Sequence, residues 1–274
     1  MPYINYNGLI TTPEQIAGIN RLKYGDGFFD TLRVFNKKIS LLPYHERRIT
    51  ESISILHIEF KNFNLRDEVL KTIEANQLKH ARVRVQFCRT AGNRYLPENN
   101  SSIFWIETED DYLTSYELKK VSCVGISKKY YKSKHFLNNI KSSSALLHVM
   151  AALEAKQMGW EDLILLNEEG LVCETIHSNI FFVNEKDEVV TPPLNSGCLA
   201  GVMRAATIDI LKSEGCCIEE RNIHPNEIPN FKEAFSTNAG SGISQIAQIA
   251  DTFFKSNLFS IKICHALNKK IDIL

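Results

Sequence analysis

Four short stretches of this sequence carry residues able to do chemistry. Lys141 closes the apolar run "HFLNNI" and stands before three serines, just ahead of a helix-like apolar pattern. A lysine amine is a nucleophile only when unprotonated, a form favoured by partial burial or by a nearby cation. Glu174 lies in "VCETIHSNIFFV", where a carboxylate among apolar strand residues needs a cationic partner, either a protonated ring nitrogen or an ordinary side chain. "GCLAGVMR" places Gly201 at the start of a helix, whose free N–H groups favour an anion such as phosphate. "STNAGSGIS" (236–244) is a small-residue turn after a strand, where backbone amides can approach a ligand. Taken singly, each has a plain alternative: a solvated lysine, a salt bridge, a helix cap, a turn.

The elements that position these residues follow from periodicity. "ARVRVQFC" (81–88) alternates, with Val83, Val85 and Phe87 on one side, and "SSIFWIET" reads as its neighbour across the turn-rich "TAGNRYLPENN". "TLRVFNKKISLL" reads as a hairpin about Asn36 to Lys38. A helix follows Pro43 with Ile49, Ile53 and Leu56 on its apolar face, and "LRDEVLKTIEANQL" is a second amphipathic helix. The polar stretch from Glu107 to Lys120 is the linker. Beyond it come a strand "KKVSCVGIS", a helix running to Met158, short strands with turns at Glu168 to Gly170 and Asn184 to Asp187, and a helix from Gly201 to Gly215. Strands and helices mix without strict alternation. This predicts an α+β protein of two domains, residues 1–115 and 116–274, the second and larger built on a strongly bent sheet or barrel and carrying Lys141.

Composition narrows the function. The 274 residues are 44% hydrophobic and 23% charged, and the formal net charge is zero, so nothing favours nucleic acid or an anionic membrane. No run approaches the roughly 18 apolar residues of a membrane span, and the start "MPYINYNGLI" does not read as a signal peptide. The 7 cysteines are scattered without a CxxC, which argues against a disulfide framework or a zinc site and fits the reducing cytoplasm. No metal site is expected.

Taken in order, these motifs resemble the class IV aminotransferases, the fold-type IV enzymes of pyridoxal 5'-phosphate (PLP). "YGDGFFDTLRV" looks like the family's N-terminal signature, "HERRI" is similar to its His-x-x-Arg-Leu segment, and Lys141 stands where the family has its Schiff-base lysine. "ETIHSNIFFV", "TPPLNSGCLAGVMR" and "STNAGSGISQI" complete the set. The resemblance implies a small N-terminal α/β sandwich domain and a larger pseudo-barrel domain that binds PLP. It makes Lys141 the catalytic, cofactor-bonded amine and Glu174 the partner of the pyridine nitrogen. It assigns the phosphate to Arg48, to the backbone amides of Val202 and Met203, and to the turn at Asn238 and Ala239. It also implies a homodimer acting on a small amino substrate.

Within that family the sequence leans toward the 4-amino-4-deoxychorismate lyases, which release pyruvate and 4-aminobenzoate for folate synthesis. "GDGFFDTLR" and "RTAGNRYLP" look like lyase segments. Leu146 stands where branched-chain aminotransferases carry a cofactor-contacting tyrosine, and the Arg-x-His pair of D-amino-acid aminotransferases is missing. Against this, "SSSALL" lacks the Asn-bearing stretch of the lyases. An aminotransferase of branched-chain or D-amino acids using 2-oxoglutarate is the alternative, and an inactive binding protein of the same fold is another. Arg94 and Asp30 are the expected substrate contacts, Asp30 standing where the aminotransferases carry glutamate.

Overall fold

A computed structural model describes residues 2–13, 23–60, 63–90, 92 and 94–273, the side chains of 271–273 excepted. The chain forms two compact units. One comprises Met1–Ser115 together with Lys141–Ser144, the other Tyr116–Ile140 together with Ala145–Leu274.

The first unit is one antiparallel sheet with two helices. Its elements are β1 (Ile4–Tyr6), β2 (Leu9–Thr11), β3 (Gly27–Phe35), β4 (Lys38–Ile39), α1 (Leu42–Ile55), α2 (Leu65–Ala75), β5 (Ala81–Arg89) and β6 (Ser102–Asp110), with strand order β2-β1-β6-β5-β3-β4. Alternation decides the faces. Phe28, Leu32 and Val34 of β3 join Val83, Val85 and Phe87 of β5 in the core, while Phe29, Thr31, Arg84 and Gln86 point the other way. Gly27 opens β3 because a Cβ there would stand 2.2 Å from the Phe87 carbonyl. β6 runs on to Asp110, so the first residues of the expected linker are strand.

Two expectations change here. The buried residues of α1 are His45, Arg48, Ile49 and Ser52, not an apolar stripe of Ile49, Ile53 and Leu56. The helix packs a polar face because a buried carboxylate of β3 is there to receive it. Lys141 is also not at the helix mouth, and it groups with the first unit. The Phe29 N–H donates to the Lys141 carbonyl and the Ser143 N–H to the Gly27 carbonyl, each at 2.9 Å, so Lys141–Ser144 lies along β3 like a strand. The helix begins only at Leu146.

The second unit contains β7 (Lys119–Val121), β8 (Val124–Lys132), α3 (Leu146–Met158), β9 (Asp162–Asn167), β10 (Val172–Thr175), β11 (Asn179–Asn184), β12 (Val189–Thr191), α4 (Val202–Ser213), β13 (Ile218–Glu220), β14 (Phe231–Asn238), β15 (Gly242–Ile246), β16 (Gln248–Ile249), β17 (Thr252–Phe253) and α5 (Leu258–Ile273). Its strands form a five-stranded sheet, β10-β9-β8-β16-β17, and a six-stranded sheet, β13-β12-β11-β14-β15-β7. The expected single strand "KKVSCVGIS" is therefore two, β7 in one sheet and β8 in the other. The chain makes the same change of sheet from β15 to β16, and the pairs β15·β7 and β16·β8 run side by side through that corner. This is the bent, half-barrel sheet that the sequence predicts.

Apolar residues of both sheets fill the space inside the bend, among them Val124, Ile164, Val172, Ile180, Phe182 and Ile246. α3 lies on β9 through the small residues Ala151 and Ala155, against Leu163 and Leu165. Trp160, just past the helix, covers Gly125 of β8 so closely that a Cβ there would meet its ring at 1.8 Å. Glu233 of β14 is fully buried, and its carboxylate accepts from the N–H groups of Phe259 and Ser260, capping α5.

Candidate active site

In the second unit the chemistry centres on Glu174. Residue 174 follows a register irregularity in the β10·β9 pairing, and the carboxylate is buried with every contact defined. Lys132, at the end of β8, donates from its Nζ to Oε1. The His148 Nε2, in the first turn of α3, stands 3.5 Å from the same oxygen. The Leu199 N–H donates to Oε2 at 2.8 Å. Burial by itself pushes the Glu174 pKa up. The Lys132 charge and the contacts with His148 and Lys132 outweigh it, and the carboxyl falls from 4.5 to about 2. Its contribution to stability is thus complete above pH 4.5 and is lost as the pH falls toward about 2. Lys132 responds in kind: burial lowers its pKa, Glu174 raises it, and the net shift is upward. Lys132 is therefore a protonated counter-ion and a poor nucleophile at neutral pH.

The neighbouring thiols are not nucleophiles either. Burial and then the Glu174 charge push Cys198 up to about 11, and the same two causes push Cys173 higher still. All seven cysteines are free thiols.

Two backbone features of this unit suit an anion. α4 begins at Val202 with no side chain capping it, so the N–H groups of Val202 and Met203 have no partner within the helix. Its N-cap, Gly201, cannot be larger, since a Cβ would lie 2.0 Å from Asn179 Oδ1. The turn after β14 is tied by the Asn238 side chain. Its Oδ1 accepts from the Ser241 N–H at 2.6 Å, and its Nδ2 donates to Ser178 Oγ at 2.8 Å. With the Asn238 side chain engaged in the turn, Asn238 and the following Ala239 offer their backbone amides to a ligand. Thr237, next to them, has a buried hydroxyl with no partner among the described residues. A carboxylate held ionised, uncapped amides at a helix start and an orphaned hydroxyl form a donor set that fits a pyridinium ring carrying a phosphate.

The first unit holds the other predicted residues. Lys141 Nζ stands 4.8 Å from the centroid of the Phe29 ring, and the Arg84 guanidinium carbon stands 3.9 Å from the same centroid. Gln86 Nε2 donates to Ser143 Oγ at 2.7 Å, steadying the segment that carries Lys141. Arg48 is buried and gripped by Asp30: its Nε donates to Oδ2 at 3.2 Å and its Nη2 to Oδ1. His45 Nδ1 is 3.0 Å from Asp30 Oδ1, and its buried Nε2 has no partner among the described residues. Burial raises the Asp30 pKa, but Arg48 and His45 together drive it well below the usual carboxylate range. Asp30, expected at the substrate, is thus the counter-ion that fixes Arg48. Arg94 is exposed, on a loop whose residues Ala91 and Asn93 lie outside the described part of the chain. Arg89, its neighbour in the sequence motif, is structural: it bonds Asp26, Asn100 and the carbonyls of Leu56 and His57.

Sequence reasoning missed Lys132, His148 and Arg84. The need of Glu174 for a cation was visible, but Lys128, Lys129, Lys132 and Lys134 all stood near in the chain. The irregular pairing of β8 with β9 between Ile126 and Tyr131 defeats a choice by alternation. The ion pair yields a prediction. Lys132→Met strands a buried carboxylate and destabilises the protein by about 3–5 kcal/mol. Adding Glu174→Gln restores part of that loss. Denaturant unfolding of the single and double variants measures both, and strictly additive losses would count against a direct pair.

Comparisons with known proteins identify the family of the chain. The model of the family described as amino-transferase class IV matches residues 27–249. A probable branched-chain-amino-acid aminotransferase of Rickettsia bellii is 26% identical over 262 residues, 90% of this chain and 87% of that protein. The branched-chain aminotransferase of Thermoproteus uzoniensis, solved with norvaline, superposes with a TM-score of 0.88 at 23% identity, covering 98% of this chain and 94% of that one. A putative 4-amino-4-deoxychorismate lyase of Legionella pneumophila gives a TM-score of 0.83 at 24% identity, covering 92% and 94%. Matched from β3 to β16, the chain belongs to the class IV aminotransferases, enzymes that use PLP as their cofactor.

Proposed function

We propose that the protein is a 4-amino-4-deoxychorismate lyase, with an amino-acid aminotransferase as the second reading. In this reading Lys141 is the amine bonded to the cofactor, and Glu174 holds the protonated ring nitrogen. Arg48 and the backbone amides of Val202, Met203, Asn238 and Ala239 hold the phosphate. When bound, PLP supplies a sink for the electron pair left on the substrate carbon.

The chain's own groups do the rest. With PLP bound, Lys141 would be the base that takes the proton from the substrate carbon bearing nitrogen. Glu174, kept anionic by Lys132, maintains the positive charge on the ring nitrogen that makes the sink effective. Arg84, beside Lys141 at Phe29, supplies a cation for a substrate carboxylate in addition to the exposed Arg94. In the lyase that proton loss would let the adjacent carbon–oxygen bond break, its electron pair leaving with the enolpyruvyl group, which takes up a proton to become pyruvate as the ring aromatises to 4-aminobenzoate. In an aminotransferase Lys141 would instead carry that proton onward as a general acid.

The observation that carries the lyase reading is Leu146. It is 70% exposed and has no hydroxyl to offer where the branched-chain enzymes carry tyrosine. The aminotransferase reading draws on the Rickettsia relative's name. The two separate in one assay. With 4-amino-4-deoxychorismate and no keto acid, the lyase forms pyruvate. No pyruvate, together with conversion of the bound cofactor to its aminated form by L- or D-amino acids, would establish the aminotransferase.

We further infer a homodimer. Leu146, Val149 and Leu153 are exposed along one stripe of α3, at the spacing of a single helix face. Light scattering should give twice the 31.2 kDa mass of the chain. A monomer at micromolar concentration would overturn this.

A further inference from the structure

We infer that Tyr116 is a positioning residue for the turn that holds the cofactor phosphate, an inference that rests on the reading of the 238–242 turn given above. Tyr116 is the first residue of the second unit and is buried, although it comes from the most polar stretch of the sequence. Its hydroxyl donates to the Ala239 carbonyl at 2.9 Å.

That bond fixes the orientation of a peptide group. In a trans peptide the carbonyl of one residue and the N–H of the next point in opposite directions. Holding the Ala239 carbonyl toward Tyr116 therefore fixes the 239–240 peptide plane and turns the Gly240 N–H to the other side of the turn, directly after the Asn238 and Ala239 amides assigned to the phosphate. The ring sets the turn's shape as well. Gly242 has φ +79°, and a Cβ there would lie 2.7 Å from the Tyr116 ring, so both backbone and side chain at that point demand glycine.

Tyr116 is itself held rigidly. The Asn268 side chain clasps its backbone at both ends: the Tyr116 N–H donates to Asn268 Oδ1 at 3.0 Å, and Asn268 Nδ2 donates to the Tyr116 carbonyl at 2.7 Å. Asn268 lies on α5, the helix whose start is capped by Glu233 of β14, and β14 is the strand that leads into the same turn. The turn thus has two supports. The Asn238 side chain ties it from within, and Tyr116 props it from outside. Pre-ordering both supports lowers the cost of organising amides around an anion.

The test is Tyr116→Phe, which keeps the ring and removes the hydroxyl. Apo-protein is titrated with PLP and, separately, with pyridoxal, which lacks the phosphate. We expect Tyr116→Phe to bind PLP about five- to tenfold more weakly, a loss on the scale of one hydrogen bond, with pyridoxal affinity changed less than twofold. Asn268→Ala, which frees the Tyr116 backbone and leaves the hydroxyl in place, should shift PLP affinity in the same direction. Equal losses for PLP and pyridoxal, or no loss for either, would overturn the positioning role. Failure of the wild-type protein to take up PLP would instead refute the reading of the turn itself.

Discussion

An ionised carboxylate shut away from water survives only if fixed cations and donors surround it, and Glu174 is built on that constraint. Lys132 meets it from β8, His148 from α3 and the Leu199 amide from the approach to α4. Three separate elements must be in place before the charge can be buried. In return the carboxyl is pulled down to about 2, so it remains an anion throughout the neutral range. A ring nitrogen placed against it would meet a fixed negative charge. Lys132, whose pKa moves upward, is spent on this task and is unsuited to attack a carbonyl.

The same logic governs the first unit. Asp30 is a buried carboxylate whose two oxygens grip Arg48 and His45. It turns α1 into a helix with a polar buried face, and it fixes one edge of the Arg48 guanidinium. Lys141 is treated differently. Its backbone is tied to β3 while its amine rests near the Phe29 ring, with Arg84 beside it. The two lysines thus differ in setting: Lys132 is locked as a counter-ion to Glu174, and the Lys141 amine lies over an aromatic ring.

Much of this was legible in the sequence, and for physical reasons. Strict alternation in "ARVRVQFC" and the helix start at Gly201 are local signals, and the structure follows them. The corner between β7 and β8 was not legible, because Ser122 and Cys123 look like ordinary strand residues and only the pairing of β15 and β16 shows why the chain turns there. The polar face of α1 was hidden for the same reason: its partner Asp30 lies on another element, and an apolar-periodicity rule discounts it. Lys132 needed the tertiary structure outright, since several nearby lysines satisfy the same demand. Lys141 was found by resemblance, not by spacing, and its surroundings differ from the helix mouth that the apolar pattern suggested.

Lys132 and Lys141 divide the labour between them, and a labelling experiment reads that division directly. PLP is added to the protein, the complex is reduced with borohydride, and the labelled peptide is located by mass spectrometry. The account predicts a yellow protein before reduction and a single reduced cofactor adduct on Lys141. An adduct on Lys132, or a protein that binds PLP with no lysine labelled, would contradict it.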